Sequence, residues 1–309
     1  MEKTDKPSGV SQKNEPVSKP QSSDQDYQTP NPEYTNLTEM FDYLERENST
    51  AALDTKILDK SFPSNRYAIC MTPRSGSTYL AHLLKNTKHF GFPEEWLSIS
   101  HSEKEARSIG AIDLETYLRR VFANNASPNG VSGIEISIAH WLDAKQIKHA
   151  DKFLNRGMKY FYLRRRNIVR QGISMHIAHQ SGVLHSYQLN DEAQTVREAV
   201  IYDTHAIRQF IKMIHDEELR WEHEFGALGI EPDRLYYEEI IQRPERVLRR
   251  FAHMLGLPET PLPPKDVAIK KMSDERTDEW ETRYRKEDAA YLTGLTHHRP
   301  FVHKPVKMT

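Results

Sequence analysis

The sequence has little of several features that would indicate particular classes of protein. It contains one cysteine, Cys70, so it cannot form an internal disulfide, and the apolar residues around Cys70 favour a buried thiol in a reducing compartment. No stretch approaches the roughly 18 consecutive apolar residues that a membrane-spanning helix needs. The N-terminus lacks the basic and then apolar plan of a secretory signal. These absences predict a cytoplasmic protein without an integral membrane segment.

The sequence also lacks an excess of charge of either sign. The 43 lysines and arginines stand against 44 aspartates and glutamates, which gives a formal net charge of -1. Such a chain has no global positive field to attract nucleic acid, and we expect no nucleic-acid partner. Any site that binds an anion must therefore be built locally.

Metal-ligand patterns are weak. His176 and His179 are three residues apart on a segment with helical spacing, but no third ligand has a recognisable spacing. The same argument applies to His297, His298 and His303 near the C-terminus. We therefore predict no metal.

The composition divides the chain into two parts. Residues 1–33 are rich in Lys, Ser, Pro, Gln, Asn and Asp and have almost nothing apolar to bury, which predicts a disordered tail. Residues 34–309 are long enough for one sizeable core. We predict that they form a single α/β domain.

The most informative stretch is a strand, a short loop and a helix between residues 66 and 84. Residues 67–71 are apolar without alternation, as in a strand buried on both faces of a parallel sheet, and Pro73 ends that strand. Residues 74–78 read Arg-Ser-Gly-Ser-Thr, and helical spacing begins at Thr78. A phosphate group held by this loop would lie at a helix N-terminus, where unpaired N–H groups favour an anion. An ordinary strand-turn-helix remains an alternative, since the Gly-Lys pair of nucleotide triphosphatases is absent.

Three further segments are predicted strands: 131–138, 158–163 and 234–237. Helical spacing marks the stretches between them, most clearly at 102–125 and 191–228. This alternation predicts a three-layer α/β fold with a central, mainly parallel sheet flanked by helices.

Two adjacent carboxylates, Glu94 and Glu95, follow the first helix in an aromatic-rich segment. A loop in this place could overhang the carboxyl ends of the strands, and a carboxylate there could take a proton from a hydroxyl group. The residues alone favour another interpretation, in which both glutamates begin a helix.

Three arginines, Arg164 to Arg166, follow the predicted strand 158–163, and Ser174 comes eight residues after Arg166. A guanidinium and a hydroxyl group can together bind a phosphate. We interpret Arg164 and Arg165 as a solvated basic turn and Arg166 as the arginine that points inward with Ser174.

Taken together, these segments resemble the bacterial sulfotransferase family typified by mycobacterial trehalose 2-sulfotransferase. The resemblance spans about residues 66–286. It depends on the order and separation of four segments, which are residues 73–78, 91–96, 166–174 and 278–285.

The resemblance implies a P-loop-like fold and an enzyme that uses 3′-phosphoadenosine 5′-phosphosulfate (PAPS) as donor. The 5′-phosphate of PAPS would lie in the first loop, on Arg74, Ser75, Gly76, Ser77 and Thr78. Arg166 and Ser174 match the arginine and serine that bind the 3′-phosphate. Glu95 matches the carboxylate expected to act as general base, and Arg74 would stabilise charge on the leaving phosphate.

The resemblance further implies a carbohydrate or glycolipid acceptor, with a homodimer as a possible assembly. Phe92 departs from the pattern, since the trehalose enzyme resembles Gly-Glu-Pro there, and Glu135 stands where a lysine is common. Two alternatives stay open: a P-loop nucleotide kinase or NTPase, and a non-catalytic relative that binds the nucleotide.

Overall fold

The computed structural model describes residues 34–48, 62–148, 150–155, 157–184, 186–265, 267, 274–296, 299 and 302. The predicted disordered tail, residues 1–33, and the histidines His297, His298 and His303 lie outside the described residues. The division into a tail and one domain therefore stays a prediction.

Helices and strands alternate along the chain. In order, the elements are α1 Leu37–Asn48, β1 Asn65–Met71, α2 Ser77–Thr87, α3 Ile99–Ser108, α4 Leu114–Asn124, β2 Val131–Ser137, α5 Ile138–Ala144, α6 Asp151–Leu154, β3 Met158–Arg164, α7 Ile168–Ser181, α8 Asp191–Glu198, α9 Thr204–Leu228, β4 Asp233–Tyr236, α10 Tyr237–Gln242, α11 Pro244–Met254, α12 Glu275–Glu287 and α13 Ala289–Leu295.

Within these ranges, four strands form one parallel sheet in the order β2-β1-β3-β4. All four predicted strands are present, with ends that differ from the predicted ones by one or two residues. The predicted helix 102–125 is instead two helices, α3 and α4, because the chain turns at Gly110, which has a φ of 64°. Stretch 191–228 likewise forms two helices, α8 and α9.

Helices cover both faces of the sheet, so the predicted three-layer α/β fold is confirmed. On one face, side chains of β1, β2 and β3 pack with α4, α5 and α9, where Trp221 and Phe225 are buried. On the other face, Tyr67, Ile69 and Phe161 pack against α2 and α11. A third cluster joins α7 and α9 to α12 and α13. No helix among the described residues is both long enough and apolar enough to cross a membrane.

A buried ion-pair cluster fixes the carboxyl end of β3. Glu218 of α9 accepts hydrogen bonds from Arg164 at 2.7 Å and from Arg299 at 2.8 and 2.9 Å. Arg299 is 2% exposed and also donates to the carbonyl oxygens of Arg165 and Arg166. The turn between β3 and α7 is therefore held from the C-terminal part of the chain.

Substitution Phe161→Ala tests the packing of the sheet against α11. Phe161 is fully buried, and its ring stacks on Phe251 with centroids 3.7 Å apart. Removal of this side chain leaves a cavity, and we expect a loss of about 3–5 kcal/mol in the free energy of unfolding by denaturant. Lys159→Ala, at an exposed position of the same strand, should change that free energy by less than about 0.5 kcal/mol. Equal effects of the two substitutions would contradict this packing.

Candidate active site

The loop between β1 and α2 makes a sharp turn that requires glycine. Gly76 directly precedes α2 with a φ of 94°, and a β-carbon at this position would lie 2.3 Å from the ring of Tyr237. Arg74 also adopts a left-handed conformation, with a φ of 62°. A residue other than glycine with positive φ is uncommon, and such backbone conformations cluster at functional sites. The loop thus leads directly onto the N-terminus of α2, as an anion site requires.

Side chains from the β3–α7 junction hold this loop in place. Gln171, fully buried on α7, donates from Nε2 to Thr72 Oγ1 at 2.9 Å and to the carbonyl oxygen of Pro73 at 2.8 Å. Arg165 donates to the carbonyl oxygen of Arg74 at 3.4 Å. The loop and the β3–α7 junction therefore form one continuous structure.

The structure brings together Arg74 and Ser174, which the sequence assigned to opposite ends of one ligand. Arg74 Nε donates to Ser174 Oγ at 3.1 Å, although 100 residues separate them in the chain. The same guanidinium also donates to the carbonyl oxygen of Leu184. The first loop and α7 consequently line one site.

Arg166 lies in the β3–α7 turn, and its side chain reaches the carboxyl end of β4. Its guanidinium forms an ion pair with Glu239 at 2.7 Å and lies 4.4 Å above the ring of Tyr236. Its backbone N–H donates to Glu238 at 3.0 Å. A phosphate bound by Arg166 would therefore share this guanidinium with Glu239.

The interpretation of Arg164 and Arg165 as a solvated turn is wrong. Arg164 is ion-paired with the buried Glu218, and Arg165 is 9% exposed with its guanidinium 4.9 Å above the ring of Tyr237. Burial lowers the pKa of Arg165 from its ordinary value. The partners that bury the two arginines come from α9 and α10, far away in the sequence.

Glu95 lies in the connection between α2 and α3, beside the edge strand β2. Phe92 N–H donates to the carbonyl oxygen of Asn125 at 3.0 Å, and Glu135 N–H donates to that of Glu94 at 2.8 Å. The interpretation of Glu94 and Glu95 as a helix start is therefore wrong, since α3 begins only at Ile99. Glu95 is half-buried, and burial raises its pKa above the ordinary value. A raised pKa suits a carboxylate that accepts a proton near neutral pH.

Glu135 connects the base candidate with the loop. It lies on β2 with 3% of its surface exposed, and its carboxyl group accepts a hydrogen bond from the Ser77 hydroxyl. Burial, and secondarily the charge of Glu95, raise the pKa of Glu135 well above its ordinary range. Glu95, Glu135 and Ser77 therefore form a cluster at the start of α2.

Several residues of this site were not among the sequence-based candidates, namely Gln171, Arg165, Tyr237 and Glu135. One signal could have indicated Tyr237, because it is the last residue of a predicted strand, and parallel strands place their carboxyl ends at one edge of a sheet. Gln171 contacts the loop across about 100 residues of sequence, and Arg165 does so across 91 residues. No local sequence pattern predicts contacts over such separations.

Among known proteins, a family model matches part of the chain. Residues 142–287 match the model of the Stf0 sulphotransferase family, which is just under half of the 309 residues. This match agrees with the predicted sulfotransferase. The matched region contains Arg166 and Ser174, whereas the first loop and Glu95 precede it.

No curated protein sequence matches the chain. Among solved structures, the chain is similar to the mouse sulfotransferase SULT7A1 complexed with PAP, with 12% identity and a TM-score of 0.35. That alignment covers 85% of this chain and 80% of the mouse chain. A likeness this distant assigns no role to an individual residue.

The described residues contain no group of three or more His, Cys, Asp or Glu side chains that could hold a metal ion. His176, one of the discounted histidines, is buried and its Nε2 lies 2.8 Å from the carbonyl oxygen of Ile201. The absence of a metal from the reaction stays a prediction.

Substitution Glu135→Gln tests the buried carboxyl group through the pH dependence of stability. A carboxyl group with a raised pKa in the folded state stabilises the fold below its unfolded pKa, and this contribution is lost as the pH rises through the folded pKa. The Glu135→Gln variant does not lose stability in this way, because a glutamine side chain does not ionise. We therefore expect the unfolding free energy of Glu135→Gln, relative to wild type, to increase from pH 4.5 to pH 8 in urea titrations.

The control for this measurement is Glu45→Gln at an exposed position of α1, which should follow the wild-type pH dependence. A constant difference between Glu135→Gln and wild type across this pH range would show that Glu135 has an ordinary pKa in the folded protein.

Proposed function

We propose that the protein is a sulfotransferase that moves a sulfuryl group from PAPS to a hydroxyl group of a carbohydrate or glycolipid. The observation that carries the proposal is the hydrogen bond from Arg74 to Ser174, since it joins the loop expected to bind the 5′-phosphate to the helix expected to bind the 3′-phosphate. The match of residues 142–287 to the Stf0 sulphotransferase family supports the same reaction class.

In this proposal the donor is held at two places. The loop of Arg74, Ser75, Gly76, Ser77 and Thr78 binds the 5′-phosphate against the N-terminus of α2, where the helix dipole favours negative charge. Arg166 and Ser174 bind the 3′-phosphate with a guanidinium and a hydroxyl group, which make charge-assisted hydrogen bonds. Gln171 fixes the loop through Thr72 and Pro73.

The transfer itself is an in-line displacement at sulfur. The acceptor oxygen attacks the sulfur atom, and the bond between sulfur and the 5′-phosphate oxygen breaks, so that adenosine 3′,5′-bisphosphate (PAP) leaves. Glu95 takes the proton of the attacking hydroxyl group as general base. Arg74 and the loop N–H groups stabilise the charge that develops on the leaving phosphate. Positioning of donor and acceptor supplies the rest of the rate enhancement.

The nature of the acceptor, a cytoplasmic location, a bacterial source and a homodimer rest on the sequence and the family resemblance alone. The ring of Phe92 lies under the Lys85 ammonium at 3.4 Å and beside Trp96. Phe92 stands where the trehalose enzyme resembles Gly-Glu-Pro, so a carboxylate that could hydrogen-bond sugar hydroxyls is missing, which argues against trehalose itself as the acceptor.

Isothermal titration with PAP, ADP and ATP tests the donor site. We expect wild type to prefer PAP, and we expect Arg166→Ala combined with Ser174→Ala to weaken PAP binding by at least about 10- to 100-fold, because each charge-assisted hydrogen bond contributes roughly 1.5–3 kcal/mol. Arg249→Ala, an exposed arginine on α11, is the matched control and should leave the affinity unchanged. Equal or tighter binding of ATP would instead favour a nucleotide kinase.

The variant Glu95→Gln separates chemistry from donor binding. Loss of the general base should reduce the turnover rate by about 10²–10⁴-fold, while the dissociation constant for PAP should change by less than about twofold. The measurement follows PAP release from PAPS with trehalose, maltose or methyl glucoside as acceptor, whichever supports transfer. Glu94→Gln is the neighbouring control, since the Glu94 carboxylate lies 3.3 Å from Nε2 of His101. Unchanged turnover in Glu95→Gln would exclude Glu95 as the base.

A further inference from the structure

Glu135 is a buried acid at a place where the reaction needs an anion site. It lies on β2 directly opposite Ile69 of β1, on the side of the sheet that packs against α2. Only 3% of its surface is exposed, and its Oε1 atom has no hydrogen-bond partner among the described residues. A buried carboxylate without a cation is costly, so such a group retains a proton or meets a ligand.

The groups around Glu135 offer it no positive charge. Glu95 and Glu94 act on it from the segment along the edge of β2, and the Ser77 hydroxyl contacts it from α2. Tyr67 of β1 is also close, but its phenol donates to the carbonyl oxygen of Phe90 at 2.8 Å. In the described part of the chain, no lysine, arginine or histidine pairs with Glu135. An anionic donor placed beside Ser77 would add negative charge to an already acidic cluster.

We propose that Glu135 is a proton-coupled positioning residue, which is protonated when the donor is bound and thereby turns the Ser77 hydroxyl group toward the donor's phosphate. Where Glu135 is ionised in the free protein, donor binding therefore takes up one proton. This inference rests on the proposed function, because it places the donor at the loop that contains Ser77.

The direction of one hydrogen bond explains the coupling. An ionised carboxylate only accepts, so it holds the hydrogen of the Ser77 hydroxyl group. A protonated Glu135 can donate its own hydrogen to Ser77 Oγ, and the Ser77 hydrogen is then free to point at a phosphate oxygen. The proton comes from solvent and stays on Glu135, and no bond of the donor changes in this step. Glu95, which lies beside Glu135, remains the carboxylate that accepts the proton of the acceptor.

The experiment is a calorimetric titration of PAP into wild type and Glu135→Gln between pH 6 and pH 10. At each pH the titration is repeated in three buffers with different ionisation enthalpies. The dependence of the observed binding enthalpy on the buffer gives the number of protons taken up on binding. Because the phosphates of PAP themselves titrate near pH 6, the quantity of interest is the difference between the two proteins. We expect wild type to take up about one proton more than Glu135→Gln wherever Glu135 is ionised in the free protein. In that pH range the affinity of wild type for PAP, relative to that of Glu135→Gln, should fall by up to tenfold for each unit by which the pH rises.

Two further variants keep the test decisive. Glu94→Gln removes a neighbouring charge but leaves the contact between Glu135 and Ser77, and it should retain the extra proton. Ser77→Ala removes the hydroxyl group that transmits the coupling and should reduce the extra uptake, which provides a reading if Glu135→Gln does not fold. Equal proton uptake by wild type and Glu135→Gln, at every pH where PAP binds, would overturn the inference and leave the proposed function intact. Absence of PAP binding to wild type would overturn both.

Discussion

Strand β1 pairs with a parallel strand on each side, and this pairing decides where the candidate site residues lie. With β2 and β3 as its neighbours, β1 is buried on both faces and ends at the same edge of the sheet as they do. The three strands end at that edge, at Met71, Ser137 and Arg164. The loop before α2, the β2 edge and the β3–α7 turn are brought together for this reason.

The surroundings of Arg166 and of Glu95 differ in how their charged groups are paired. Around Arg166 three guanidinium groups meet carboxylates: Arg166 pairs with Glu239, Arg170 with Glu281 and Asp278, and Arg250 with Asp233 and Glu239. Around Glu95 carboxyl groups lie together instead, because the half-buried Glu95 is close to the buried Glu135, which accepts a hydrogen bond from the Ser77 hydroxyl. A chain with almost balanced charge thus places paired guanidinium groups around Arg166 and neighbouring carboxyl groups around Glu95.

The sequence was sufficient for the sheet and insufficient for the contacts at its edge. Buried parallel strands are apolar on both faces, so runs such as 67–71 and 158–163 can be predicted as strands from the local sequence. The order of the segments was also enough to assign a loop and a helix to the expected donor site. However, the partners of Arg164 and Arg165 lie on α9 and α10, and pairwise contacts across such separations leave no periodic signal. The position of the segment around Glu95 could not be predicted for a similar reason, since its backbone forms hydrogen bonds with Asn125 and Glu135.

The contact of Arg299 with the β3–α7 turn also bears on the order in which the protein is made. Arg299 donates to the carbonyl oxygen of Arg166 at 2.8 Å across 133 residues of sequence. During synthesis, β1, β2 and β3 emerge from the ribosome long before Arg299 does, and domains begin to fold as they emerge. The β3–α7 turn therefore gains its contact with Arg299 only after 133 more residues have been made. In the nascent chain this turn is held by fewer hydrogen bonds than in the finished fold.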